Sequence, residues 1–567
     1  MKTLNTSKKL WAVSLGLAFA LLIAGFAVSG NVAAGEGDGV DHSLFPQLAG
    51  PFEMPQDVTV ACLECHAEAS TQVMATVHWT WEYTDPVTGQ ELGKNNVVNN
   101  YCIAMPSNEP RCTSCHIGYG YKDNTFDFAV EANVDCLACH ADTSIYKKFP
   151  AGSGMPWLGD EPKEFPPGSG KMWEKVDLAA SAQSVAAPTR TNCGACHFTG
   201  GGGDAVKHGD LDSSMANPAP ELDVHMSPDS QNFTCATCHA AEAHEIDGRI
   251  YTGETPVMCE DCHNGDNAPH ADSAMGEALT AHTETLACQT CHIPAFARGK
   301  ATKMSWDWST AGEKTEDGKN FQTKNDAGQV IYDSQKGDFT WEANVTPYYA
   351  WWNGETRFLT PADTIDPSAL VMMTDFQGSR EDGKLYPFKY FAGVTPYDAG
   401  NNVMAVPNLF PNNAEDTDAY WKGWDWDAAL ASGMEYAGYD YSGEVGFVET
   451  AFLWVQNHQV APATDAVQCA ECHTADGRLD FAALGYSDAE VTKLTVFPPA
   501  EPAPEPTEEP AVVEEPAKVD EEPVAEVEPV ATETAAPASG SATLWIALIV
   551  ILVIVAVAFF AMRSKKE

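Results

Sequence analysis

Seventeen cysteines and sixteen histidines carry the chemistry of this chain, and their spacing says what that chemistry is. The pattern Cys-x-x-Cys-His occurs eight times: Cys62, Cys65 and His66; Cys112, Cys115 and His116; Cys136, Cys139 and His140; Cys193, Cys196 and His197; Cys235, Cys238 and His239; Cys259, Cys262 and His263; Cys288, Cys291 and His292; Cys469, Cys472 and His473. Two thiols one helical turn apart can add to the two vinyl groups of a haem, and the adjacent histidine is then placed to ligate the iron from one face. Structural zinc draws four ligands from paired half-sites and has no need of a histidine after every second cysteine. A disulfide framework has no use for those histidines either.

Eight further histidines lie outside the motifs: His42, His78, His208, His225, His244, His270, His282 and His458. Their number equals the number of motifs, so most are expected to ligate an iron from the opposite face, giving six-coordinate, electron-transferring haems. An iron closed by two imidazoles does no chemistry on a substrate, so catalysis needs one site that differs.

The stretch 102–148 is where a difference could lie. It holds Cys102, the one cysteine outside the motifs, then the second and third motifs, then Lys147 and Lys148. An odd thiol in an exported protein is either buried or reactive. A lysine amine ligates iron only when neutral, and it gives way more readily than imidazole. Arg111, Tyr119 and Tyr121 flank the second motif and could bind an anion or serve the fold.

The elements that must position these groups are expected to be short. From 35 to about 300 the chain carries seven motifs, separated by gaps rich in Gly, Pro, Ala and Asp with few long apolar runs. The expectation is a mainly α fold with extensive coil and little sheet, organised around eight covalent haems that themselves act as the core. Residues 301–455 hold no motif and no histidine but many aromatics, among them Trp306, Trp308, Trp341, Trp421, Trp426 and Trp454, and read as a covering layer. The eighth motif lies in 456–497.

The two ends read differently. Residues 1–34 have the basic start, apolar run and small residues of an export signal. Residues 498–542 form an acidic Pro/Glu-rich stretch that reads as a stalk, and 543–562 an apolar run of bilayer length followed by a basic tail at 563–567. Together they imply a single-pass protein on the extracytoplasmic face of the cytoplasmic membrane, with its C-terminus in the cytoplasm. The formal net charge of −48 argues against nucleic acid as a partner and favours a basic or metal-bridged redox partner protein.

The runs Asp41-His42-Ser43, Ala61-Cys62-Leu63-Glu64-Cys65-His66, His78-Trp79-Thr80-Trp81, Ser107-Asn108-Glu109-Pro110-Arg111-Cys112, Tyr146-Lys147-Lys148, Asp223-Val224-His225-Met226, Cys291-His292-Ile293-Pro294, Tyr386-Pro387-Phe388-Lys389 and Gly477-Arg478-Leu479-Asp480-Phe481 resemble the octahaem tetrathionate reductase family of multihaem c-type cytochromes, from about 41 to 486. The resemblance implies that the haem on Cys112 and Cys115 is catalytic, with Lys147 or Lys148 as its distal ligand and Cys102 lining the pocket. It implies a reductase acting on a small inorganic sulfur or nitrogen compound, such as tetrathionate, nitrite or hydroxylamine. One of the eight free histidines is then left without an iron. The alternative is a conduit whose eight haems are all closed by histidine.

Overall fold

The computed structural model describes residues 40–248, 257–264, 269–271 and 273–498. The motifs sit on short helices, among them Pro55–Leu63, Glu109–Cys112, Cys136–His140, Arg190–His197 and Gln289–His292. Side-chain caps start several of them: Asp135 accepts from the Ala138 amide, and Thr189 from that of Asn192. Such helices bury few residues of their own and take their stability from what they pack against.

The rest departs from expectation. A nine-stranded sheet contains β1 (Thr302–Asp307), β2 (Gln322–Lys324), β3 (Val330–Asp333), β4 (Gly337–Glu342), β5 (Tyr348–Trp352), β6 (Val371–Met372), β7 (Lys384–Asp398), β8 (Val403–Met404) and β9 (Val445–Val455). Its order is β6-β9-β7-β1-β4-β3-β2, with β5 and β8 also paired to β7. The longest ladder is antiparallel, running from Phe388 opposite Val455 to Asp398 opposite Val445, while β1 lies parallel to β7.

This sheet overturns the expectation of a mainly α chain with little sheet. The physical reason is that the aromatic stretch has a core of its own and does more than cover haem faces. Trp306 and Trp308 stack at 4.9 Å, and both are buried with Phe339, Phe391, Phe452 and Trp454. The helix Trp426–Ala437 lays Ala429, Leu430, Gly433 and Met434 on that core. Gly433 is required there, because a β-carbon would stand 2.1 Å from the Val406 carbonyl oxygen.

The expected single-pass membrane topology is corrected as well: among the described residues no helix is long and apolar enough to cross a membrane. The longest mentioned above has 12 residues, against roughly 20 apolar ones for a bilayer span. The leader at 1–34, the apolar run at 543–562, the tail at 563–567 and all but the first residue of the acidic stretch lie outside the described residues.

Candidate functional site

Seven motif histidines each face one of the free histidines across a constant gap. The pairs are His42 with His66 (6.4 Å between ring centroids), His78 with His197 (6.4 Å), His244 with His140 (6.5 Å), His225 with His263 (6.1 Å), His458 with His239 (6.2 Å), His270 with His292 (6.3 Å) and His282 with His473 (6.1 Å). That gap is too wide for ring contact. It matches two metal–nitrogen bonds of about 2.0 Å plus two ring radii, about 6 Å in all. These residues therefore fit haem c, with one imidazole on each side of the iron.

The outer ring nitrogens agree. Nδ1 of His140, His239 and His473 lies 2.9, 2.9 and 2.8 Å from the carbonyl oxygens of Ala186, Asp247 and Leu494. A nitrogen facing a carbonyl must carry the proton, which leaves Nε2 with its lone pair for a metal. On the opposite faces, His458 Nδ1 lies 3.0 Å from Asp210 Oδ2 and His244 Nδ1 2.8 Å from Gln72 Oε1.

The motif sulfurs give the order of the sites in space. Cys62 touches Cys136, Cys115 touches Cys196, Cys193 touches Cys235 and Cys259 touches Cys288. Cys139 acts on Cys193 and Cys196, Cys262 on Cys238, and Cys469 on Cys291. By motif number the sites run 1, 3, 4, 5, 6, 7, 8, with site 2 branching from site 4. Two of these sulfurs explain why Cys259, Glu260 and Cys288 also converge as if to hold a metal ion.

Site 2 is different. His116 is fully buried, and its ring lies 5.1–6.1 Å from those of Trp79, Trp81, Tyr121, Phe126 and Phe128. Its Nε2 is 2.6 Å from the Trp79 carbonyl oxygen, while Nδ1 has no partner. Here the proton is on Nε2, the nitrogen that His140, His239 and His473 keep for the metal. Burial pushes the imidazole down to about 3. Gly118 makes room, since a β-carbon would stand 2.9 Å from His116 Cε1 and Nδ1 and 2.8 Å from Trp79. The Lys148 amine reaches in beside it, donating to the carbonyls of His116 and Gly118 and standing 3.0 Å from Asp135 Oδ2. Asp135 also accepts from Tyr119 (2.7 Å) and Tyr146 (2.8 Å).

Comparison with known proteins agrees with this arrangement. The family model "Cytochrome c bacterial" matches residues 303–476, and "Cytochrome c554 and c-prime" matches 61–141. A solved octahaem cytochrome c from Shewanella oneidensis is 42% identical over 79% of this chain and 97% of its own, with a TM-score of 0.69. The chain belongs to the octahaem cytochromes c. It is thus a redox protein with covalently bound haem c. An uncharacterized protein of Archaeoglobus fulgidus is 25% identical over 274 residues, which are 39% of this chain and 88% of that protein.

In this octahaem cytochrome c the remaining candidates are placed as follows. Lys147 is exposed. Arg111 donates to the Pro150 carbonyl at 2.8 Å and lies over Phe165, so it ties two loops together. Tyr121 stacks on Phe126, with its hydroxyl 3.3 Å from Asn95 Oδ1. Cys102 is half-buried and packs against the aromatic core of the sheet. It sits at the tip of a turn closed by Asn99 and Ile103, with the Ala104 amide 2.9 Å from its carbonyl. Ile103 has φ 65°, which is strained for a β-branched residue. Tyr101 and Asn100 clamp the turn to the sheet through Trp308 Nε1 (3.0 Å) and the Phe391 carbonyl (3.2 Å).

His208 is the free histidine that faces no motif histidine among the described residues. Its ring lies 4.8 Å from Trp454, and burial holds its imidazole well below the usual range. Sequence reasoning did not single out Asp135 or the box around His116. Only Asp135 had a signal, as a helix-capping residue directly before Cys136.

Proposed function

We propose that this octahaem cytochrome c carries eight haems and reduces a small inorganic sulfur or nitrogen compound at the haem on Cys112 and Cys115. One observation carries the reading. His116 alone among the motif histidines faces no second imidazole and commits Nε2 to a carbonyl, while the Lys148 amine lies beside it. Bound there, haem c supplies a redox-active iron with one position open to substrate. Lys148 would supply the amine ligand, and Asp135, 3.0 Å from its amine, holds it in place. Electrons come from a redox partner protein through the chain of sites to site 4, the neighbour of site 2.

The experiment is the addition of nitric oxide, cyanide or hydroxylamine to the holoprotein, followed by electron paramagnetic resonance and Soret absorbance. A change confined to one haem, and absent once Cys112 and Cys115 are alanine, is the expected result. Silence from every haem would leave the second reading, a conduit, which the seven facing imidazole pairs favour.

A further inference from the structure

We infer that Asp210 lowers the reduction potential of the haem held between His239 and His458, which makes site 5 a step that electrons must cross between sites 6–8 and sites 1–4. The potential of site 5 stands independently of site 2. What the step does for catalysis rests on the reading of site 2 as the reacting centre.

Three N–H groups converge on one oxygen of this aspartate. Asp210 Oδ2 accepts from the backbone amides of Asn457 (2.9 Å) and His458 (3.0 Å), and it lies 3.0 Å from His458 Nδ1. Three such donors are the environment of an ionised carboxylate, so Nδ1 carries the ring proton and Nε2 is left for the iron. Asp210 is buried, and the ring has little freedom to leave it. Gln459, the next residue, is fully buried at φ 62°, a left-handed conformation that persists only where the surroundings enforce it. Here Gln459 Nε2 donates to Asp212 Oδ2 at 3.2 Å, its carbonyl accepts from Arg298 Nη1 at 2.9 Å, and the Val460 amide donates to Asp223 Oδ2 at 3.2 Å.

The acceptors facing Nδ1 of His140, His239, His473 and His244 are neutral: three backbone carbonyls and the side-chain amide of Gln72. A carboxylate in that place makes the imidazole a more basic ligand and sets a negative charge one ring away from the iron. Both effects favour the ferric state, which carries one more positive charge than the ferrous. The change is one electron, with no atom or proton transferred. Site 5 is tied to site 4 by the contact of Cys235 with Cys193, and to site 6 by Asp223, which accepts from the amides of both Val460 and His225. Electrons that have reached sites 1, 3 and 4 therefore return across site 5 slowly and stay beside site 2.

The test is a potentiometric titration of the holoprotein followed by electron paramagnetic resonance, with Asp210→Asn, which keeps an oxygen for the ring and loses the charge. His458→Ala identifies the component to watch, because it abolishes the low-spin signal of site 5. In Asp210→Asn that component is expected to move upward by roughly tenfold in its redox equilibrium, or about 59 mV for one electron. Asp317→Asn, the same charge change in an exposed ion pair with Lys319, is expected to move nothing. The reverse exchange, Gln72→Glu, places a carboxylate 2.8 Å from a facing ring and is expected to lower the component that His244→Ala abolishes. It decides the matter if Asp210→Asn does not bind its haems. An unmoved site 5, a shift in some other component, or a Gln72→Glu protein with unchanged potentials overturns the inference. Nitric oxide tests the open iron separately: silence there, with the shift at site 5 intact, would sink the reading of site 2 and leave the role of Asp210 standing.

Discussion

Lys148 Nζ stands 3.0 Å from Asp135 Oδ2, the lysine side chain 9% exposed and the aspartate fully enclosed. The same carboxylate caps the helix of the third motif, so one residue joins sites 2 and 3. Losing one partner of such a pair strands the other. Lys148→Met leaves Asp135 three donors, Tyr119, Tyr146 and the Ala138 amide, whereas Asp135→Asn leaves the lysine only carbonyl dipoles. Asp135→Asn is therefore expected to cost more, about 3–5 kcal/mol, in chemical denaturation of the holoprotein. Equal costs would show that the pair is not the reason for the enclosure.

The same geometry separates three residues by spectroscopy. Lys148→Ala is expected to change the electron paramagnetic resonance signal of one haem, Lys147→Ala of none, and His116→Gln of none. His208→Ala is also expected to leave every bis-histidine signal in place, whereas His78→Ala exposes the iron at site 4. If His116→Gln instead converts one haem to high spin, His116 ligates that iron opposite Lys148 and the reading of an open position fails.

Glu109 supplies a pH test. It is buried three residues before Cys112, with one oxygen accepting from Tyr436 at 2.8 Å and the other without a partner. Burial raises its carboxyl above the usual value of 4.5. The folded protein then holds this proton more tightly than the unfolded chain. Its contribution is complete below pH 4.5 and is lost as pH rises through the raised value. Glu109→Gln keeps the oxygen facing Tyr436 and cannot ionise. Thermal midpoints measured from pH 4 to 8 should fall for the wild type relative to this variant, and parallel curves would refute the buried acid.

The haem attachment was legible in the sequence because it is local: two cysteines and a histidine within five residues declare it wherever the chain goes. Which histidine faces which motif was not legible, since His42 and His66 are near in sequence but His458 and His239 are far apart, and only the fold pairs them. Lys147 and Lys148 were indistinguishable until Lys148 was seen to bridge to Pro156, which turns its neighbour to the other side. The sheet was missed for a physical reason. Its central strand β7 contains Pro387, Pro396 and Gly393, residues that normally interrupt an interior strand. The aromatic density of 301–455 was visible, but composition alone does not distinguish a layer over haems from a core with its own ladder.

That core reaches the candidate site through two hydrogen bonds, one of which can be removed cleanly. Trp308 is fully buried just after β1, stacked on Trp306, and its Nε1 donates to the Tyr101 carbonyl, one residue before Cys102. Trp308→Phe keeps an aromatic ring but removes that donor, leaving a carbonyl unpaired in a strained turn. The expected cost is about 1–3 kcal/mol, read from denaturation. Cys102 lies outside the eight motifs, and in the holoprotein its reaction with iodoacetamide should quicken as the turn loosens. A Trp308→Phe protein with the wild-type alkylation rate would mean that this hydrogen bond does not hold Cys102, and that Asn100 on the Phe391 carbonyl and the Asn99–Ile103 closure suffice.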